Sequence, residues 1–141
     1  MSMNAPRTVP DTGSTTRLLL VEDHAGVAEA TQEFLQSEGL EVRVVSSGRE
    51  ALAAAIAFQP DIVLCDLNLF DMGGINVLNA LRNSPAVGRA LLVIHSAASI
   101  APGCRLDVPE ADLFLSKPLD NEKIAMLLAG LQQLREKIRK Q

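Results

Sequence analysis

Five polar residues, Glu22, Asp23, Asp66, Ser96 and Lys117, follow or close short apolar runs in this sequence, and their types suit the handling of a phosphoryl group. Leu18-Leu19-Leu20-Val21 runs into Glu22-Asp23, and Ile62-Val63-Leu64-Cys65 runs into Asp66. Leu91-Leu92-Val93-Ile94-His95 ends at Ser96, and Leu113-Phe114-Leu115-Ser116 ends at Lys117 with Pro118 behind it. A carboxylate can attack phosphorus to give an acyl phosphate. Paired acids can hold a hard divalent cation through oxygen, and an ammonium offers phosphoryl oxygens a point charge. If the four runs are strands of one open parallel sheet, their carboxyl ends share an edge, and ligands bind in the crevice there. Three carboxylates, a hydroxyl and an ammonium then meet in one shallow site.

The elements that must position these residues are legible from periodicity. Leu18 to Val21 reads as a strand buried on both faces. Ala25 to Glu38 carries Val27, Ala30, Phe34 and Leu35 at helical spacing, with Gly39 placed to stop it. Glu41 to Val45 alternates as a half-exposed strand. Ser47-Gly48-Arg49-Glu50 fits a capping box, in which the serine satisfies an orphan amide and Glu50 reaches back to the cap. The Ala-rich helix behind it must end near Gln59, because Pro60 cannot donate a helical hydrogen bond. Ile62 to Cys65 is the third strand. Ile75, Leu78 and Leu81 mark a helix after the Gly73-Gly74 turn, and Leu91 to His95 and Leu113 to Ser116 are the last two strands. Asp120 is placed to cap a final helix with apolar positions Ile124, Leu127, Leu128, Leu131, Leu134 and Ile138. Strands alternating with helices predict an α/β fold, with right-handed crossovers and a parallel sheet covered on both faces.

With 141 residues, 48% of them apolar, the chain suffices for one domain with its own core and is too short for two. Four Phe and no Tyr or Trp leave that core to Leu, Ile, Val and Ala. Residues 1–16, rich in Ser, Thr and Pro, read as a disordered leader. No apolar run approaches the ~18 residues of a membrane span, and the first residues show no secretory pattern. A cytoplasmic location is therefore expected. Cys65 and Cys104 lack metal or redox spacing and read as a buried thiol and a loop thiol. The formal net charge of -4 offers no general attraction to nucleic acid, so a protein partner is expected.

Taken together, Glu22-Asp23, Asp66, the loop from Asp66-Leu67-Asn68-Leu69 to Met72-Gly73-Gly74, Ser96-Ala97 and Lys117-Pro118 resemble the receiver domain of two-component response regulators. The resemblance covers residues 17–134 and implies a flavodoxin-like, doubly wound sheet of five parallel strands in the order 2-1-3-4-5. It implies that Asp66 is the phosphoacceptor, supplied by a histidine kinase or phosphotransfer protein. Mg²⁺ would be held by Asp23, Asp66 and the backbone carbonyl of Asn68, with Glu22 acting through a bound water. Lys117 would pair with Asp66 before reaction and with the phosphoryl group afterwards. Ser96 would turn toward that group and make room for Phe114, giving a switch. The downstream target is then an unidentified protein.

Departures from the family pattern carry expectations of their own. Phe70 stands where the family usually has proline. Pro102-Gly103 and Pro109 interrupt the segment after Ser96, so the fourth helix of the family should be short, displaced or absent, and Ala98 to Pro109 an irregular or shortened element. Leu127, Leu131, Leu134 and Ile138 are spaced as a short a/d seam, read as a contact surface for self-association, and residues 135–141 as a basic helical extension or tail. His24 is read as exposed and incidental, His95 as a hydrogen-bonded core histidine. Two other functions compete. A Mg²⁺-dependent phosphatase with an aspartate nucleophile would need a second carboxylic acid two residues on, where Asn68 stands and cannot move a proton. A pseudo-receiver that only binds a partner would be favoured by loss of the acids or Lys117, and all are present. The expectation is a switch and not an enzyme.

Overall fold

The computed structural model describes residues 15–69, 71–87, 89–97 and 111–140. Phe70, Cys104, most of the leader and the interrupted Ala98–Pro109 segment lie outside them. Among the described residues the order is β1 (Arg17–Val21), α1 (Ala25–Ser37), β2 (Glu41–Val45), α2 (Gly48–Phe58), β3 (Ile62–Asp66), α3 (Gly74–Arg82), β4 (Leu91–Ser96), β5 (Leu113–Ser116) and α4 (Asn121–Arg139). The sheet runs β2-β1-β3-β4-β5 with every pair parallel, as the sequence reading expected.

Side chains alternate across each strand, and the two faces bury two separate cores. Leu19, Val21, Val63, Cys65, Leu92 and Ile94 face α2 and α3, while Leu18, Leu20, Ile62, Leu64, Val93 and Leu115 face α1 and α4. Burial on both faces explains why β1, β3 and β4 read as unbroken apolar runs. β2, at the edge, alternates because one of its faces meets water.

The helix boundaries follow the expected signals. Gly39 takes a positive φ of 92° just past α1, and its N–H closes on Gln36 O at 3.0 Å. Ser47 Oγ accepts from Glu50 N and donates to the Glu50 carboxylate, so Glu50 returns to the cap through its hydroxyl. Asp120 Oδ1 accepts from Lys123 N at 2.9 Å to start α4. Three expected apolar positions, Ala30, Ile75 and Leu128, face outward instead. Ile75 is 40% exposed and Leu128 is 42% exposed. The buried stripe of α4 is Ile124, Leu127 and Leu131, and Leu128 lies about 65° round the helix from the middle of that stripe. In α1 the covered small residue is Ala28, with Ala30 turned to solvent. Leu127 and Leu131 are spent in the chain's own core, and Leu134 packs half-buried against it. Among the described residues no helix is long and apolar enough to cross a membrane.

The connection from β3 to α3 is closed by its backbone. Asn68 and Gly73 pair as an antiparallel bridge, and Gly74 N donates to Leu67 O at 2.8 Å. A Cβ on Gly74 would sit 2.2 Å from the Asp66 carbonyl oxygen, so no larger residue fits there. Gly74→Ala is expected to lower stability by about 2 kcal/mol or more, because backbone must move to admit the methyl. Gly73→Ala, with its nearest neighbour 3.8 Å away, is expected to cost within about 1 kcal/mol. Urea unfolding of the two variants against the wild type checks the contrast.

Candidate functional site

The carboxyl ends of β1, β3, β4 and β5 bring the sequence-predicted residues to one edge of the sheet. Glu22 and Asp23 follow β1, Asp66 ends β3, Ser96 ends β4, and Lys117 follows β5. Oxygens of Glu22, Asp23 and Asp66 lie within 4.8 Å of one another. Glu22 is buried, and Asp23 and Asp66 are half-buried. The Lys117 ammonium reaches Glu22 Oε1 at 2.5 Å and Asp66 Oδ2 at 3.5 Å. Its closer partner is therefore Glu22, alongside the Asp66 pairing that the sequence reading expected. Glutamate carries one more methylene than aspartate, and that length lets it span the gap from β1. Glu22 Oε2 also accepts from His24 N at 3.2 Å, so both of its oxygens are engaged within the chain.

The donor set fits a hard divalent cation. It consists of oxygens from three carboxylates gathered within 4.8 Å, with the Lys117 ammonium against two of them. The Asn68 backbone, on the loop closed by Gly73 and Gly74, lies beside it, with Asn68 N donating to Asp66 Oδ1 at 3.3 Å.

Ser96 is buried, and its backbone carbonyl accepts from Lys117 N at 2.8 Å, which locks β4 to the start of the Lys117 turn. By strand alternation Ser96 points to the α2/α3 side, where Phe114 packs half-buried against the same core. Both residues named for the switch thus share one face. Asp66 and His95 are register partners and share the other.

Several functional positions were misjudged or missed from sequence. His24 is exposed but not incidental, since its Nδ1 accepts from Val27 N at 3.3 Å and caps α1. Its position one residue before an apolar-periodic segment was the available signal. Asp71 was not singled out, yet its carboxylate accepts from Gly48 N and Arg49 N, both at 2.9 Å. Those two amides of α2 hold the Asp71 carboxyl below its ordinary value of 3.8. The tie is intact above that pH and is lost as the pH falls through the lowered value. Gly48 permits the approach, because a Cβ there would meet Met72 of the same loop at 2.5 Å. Cys65 is a buried thiol, as expected, and burial beside the Asp66 and Glu22 charges keeps it protonated.

His95 is buried, as expected, but its Nε2 has no hydrogen-bond partner among the described residues. Lys117 and Lys123 are cations and cannot accept a proton from it. Burial first, then those two charges, push its pKa down to about 4.

With this fold and this edge in place, the chain belongs to the response regulator receiver domain family, which residues 18–129 match. Receiver domains of this kind are signalling switches of two-component systems. Among curated relatives, the cell cycle transcriptional regulator CtrA of Caulobacter vibrioides is 30% identical over 108 residues, covering 77% of this chain and 46% of the relative. The Brucella ovis cell cycle response regulator CtrA is 33% identical over the same length and coverage. The chain thus spans about half the length of the curated relatives it matches. A CheY-like receiver domain from Methylobacillus flagellatus superposes with a TM-score of 0.74 at 29% identity, covering 84% of this chain and 99% of that one. The response regulator TrrA from Thermotoga maritima, solved in complex with Mg²⁺-BeF, gives 0.72 at 25% identity over 83% of this chain and 99% of that one.

His95 generates a prediction about acid stability. Its folded pKa of about 4 lies below the ordinary 6.5, so the native state favours the neutral ring. That stabilisation is fully present above pH 6.5 and is lost as the pH falls toward 4. The shift amounts to about 3 kcal/mol at most. His95→Leu, which removes both the titration and the unpaired nitrogen, is expected to flatten this limb while keeping stability at pH 7. Urea midpoints of both proteins between pH 7 and 4.5 measure the difference.

Proposed function

We propose that this chain is a phosphorylatable switch that accepts a phosphoryl group on Asp66 from the phosphohistidine of a histidine kinase or phosphotransfer protein. The observation that carries the reading is Asp66 at the end of β3, beside the Lys117 ammonium and within 4.8 Å of two further carboxylates. An Asp66 oxygen attacks phosphorus, an O–P bond forms, the donor's N–P bond breaks, and the imidazole leaves with its electron pair and takes a proton. Asp23, Asp66 and the Asn68 carbonyl are the residues that would hold Mg²⁺, with Glu22 reaching it through water. When bound, the cation supplies the charge that lets an anionic donor approach an anionic nucleophile.

Lys117 has two carboxylate partners, and the arriving phosphoryl group gives it a third. Transfer of the ammonium from Glu22 and Asp66 to a phosphoryl oxygen keeps the new charge paired. Ser96 and Phe114, on one face, are the pair through which the change would leave the site. The Mg²⁺-bound assembly of the Thermotoga maritima relative supports the same use of the acidic cluster here.

Asn68 favours a switch over a phosphatase. Its exposed side-chain amide, two residues after Asp66, can neither donate nor abstract a proton at the acyl phosphate. The acyl phosphate then persists long enough to be read by a protein target, and the chain's net charge of -4 argues against nucleic acid as that target. Along the seam of α4, a second copy of the chain would find Leu134 and Ile138, both half-buried, because Leu127 and Leu131 are taken by the chain's own core.

With acetyl phosphate and Mg²⁺, intact mass spectrometry is expected to show the addition of a single phosphoryl group, abolished by Asp66→Asn. Asp23→Asn is expected to weaken Mg²⁺ binding by about tenfold or more. Labelling that survives Asp66→Asn, or that runs at full rate in excess chelator, overturns the assignment.

A further inference from the structure

Lys123 stands at the third position of α4, behind the Asp120 cap. A cation in the first turn opposes the positive end of the helix dipole, so local preference does not account for it. Its side chain serves another purpose. Nζ donates to Ser116 O at 2.8 Å and to Pro118 O at 2.9 Å, the two carbonyls that flank Lys117. Its backbone N–H is held by Asp120 Oδ1 at 2.9 Å. One residue thus ties both sides of the Lys117 turn to the rigid first turn of α4.

The need for such a clamp follows from the chemistry of lysine. A long flexible stem carries the Lys117 ammonium, and holding it on two carboxylates costs side-chain entropy. The stem can reach both Glu22 and Asp66 only if its Cα stays in place. On one side that Cα is fixed by the bond from Lys117 N to Ser96 O. On the other, Lys123 fixes the carbonyls before and after it.

We infer that Lys123 is a positioning residue for phosphoryl transfer, a clamp on the Ser116–Pro118 backbone that keeps the Lys117 ammonium on the site; the inference rests on the phosphoacceptor reading above. Lys123 acts through the backbone of Lys117 and stands apart from the carboxylates proposed to hold Mg²⁺. Methionine keeps the length of the stem and loses the donors, whereas arginine keeps a cation with several donors.

Wild type, Lys123→Met and Lys123→Arg are compared with acetyl phosphate as donor, following phosphorylation by intact mass and Mg²⁺ affinity by calorimetry. Lys123→Met is expected to be phosphorylated about tenfold more slowly, since a small displacement of a reacting group costs that much. Its Mg²⁺ affinity, and the phosphorylation rate of Lys123→Arg, are expected to stay within about twofold of wild type. A Lys123→Met protein that reacts at the wild-type rate overturns the inference. So does one whose Mg²⁺ affinity falls in parallel, which would mark general loosening, or a Lys123→Arg protein as slow as Lys123→Met. Absence of label on the wild type strikes down the phosphoacceptor reading itself, and this inference with it.

Discussion

Mutual repulsion among Glu22, Asp23 and Asp66 is the constraint around which the carboxyl edge of the sheet is arranged. Two like charges about 4 Å apart cost about 4 kcal/mol at the effective dielectric of a protein surface. Lys117 offsets part of this by pairing with two of the three at once. The pairing is unequal, because Glu22 is the buried partner and a buried carboxylate without its counter-ion is the costlier loss. Three carboxylates held this close give the edge an oxygen-rich donor set that suits a hard cation.

The scaffold answers the repulsion with backbone and not with further charges. Parallel strands deliver their carboxyl ends to one line, and the loops behind them are tied short. Gly74 lets α3 close against the Asp66 carbonyl, the Asn68–Gly73 bridge shuts the loop, and Asp71 fastens its far side to the amides at the start of α2. Lys123 plays the matching part across the site, on the turn that carries Lys117. Asp66 and Lys117 are therefore each held by a helix start that lies outside the cluster itself. Fixing side chains through such supports lowers the ordering that any chemistry proposed for them must supply.

The two faces of the sheet divide the consequences. Ser96 and Phe114 look toward α2 and α3, whereas Asp66 and His95 share the side of α1 and α4. The residues proposed to carry the switch thus lie on one face, and the phosphoacceptor proposed for it on the other. His95 is the exception in that packed face. A neutral imidazole whose Nε2 has no partner among the described residues, and whose charged form the Lys117 and Lys123 charges disfavour, is a tolerated cost in that core.

What the sequence determined alone is what depends on near neighbours along the chain. Apolar runs of four or five residues, Ser47 and Asp120 as caps, Gly39 and Pro60 as stops, and the polar residue after each run all act within a turn or a strand. They were enough to set the α/β class, and the resemblance they carried gave the strand order and the site residues. What only the tertiary structure decided depends on which distant segments meet. Asp71 meets Gly48 across 23 residues, and Lys117 meets Glu22 across 95. No periodicity encodes that Glu22 outreaches Asp66 for the ammonium, or that His95 Nε2 finds no partner among the described residues. The outward turn of Leu128 was settled in the same way, since the line of contact between α4 and the sheet fixes which apolar residues are covered. Local signals set where each element starts and stops, and packing alone sets what its side chains touch.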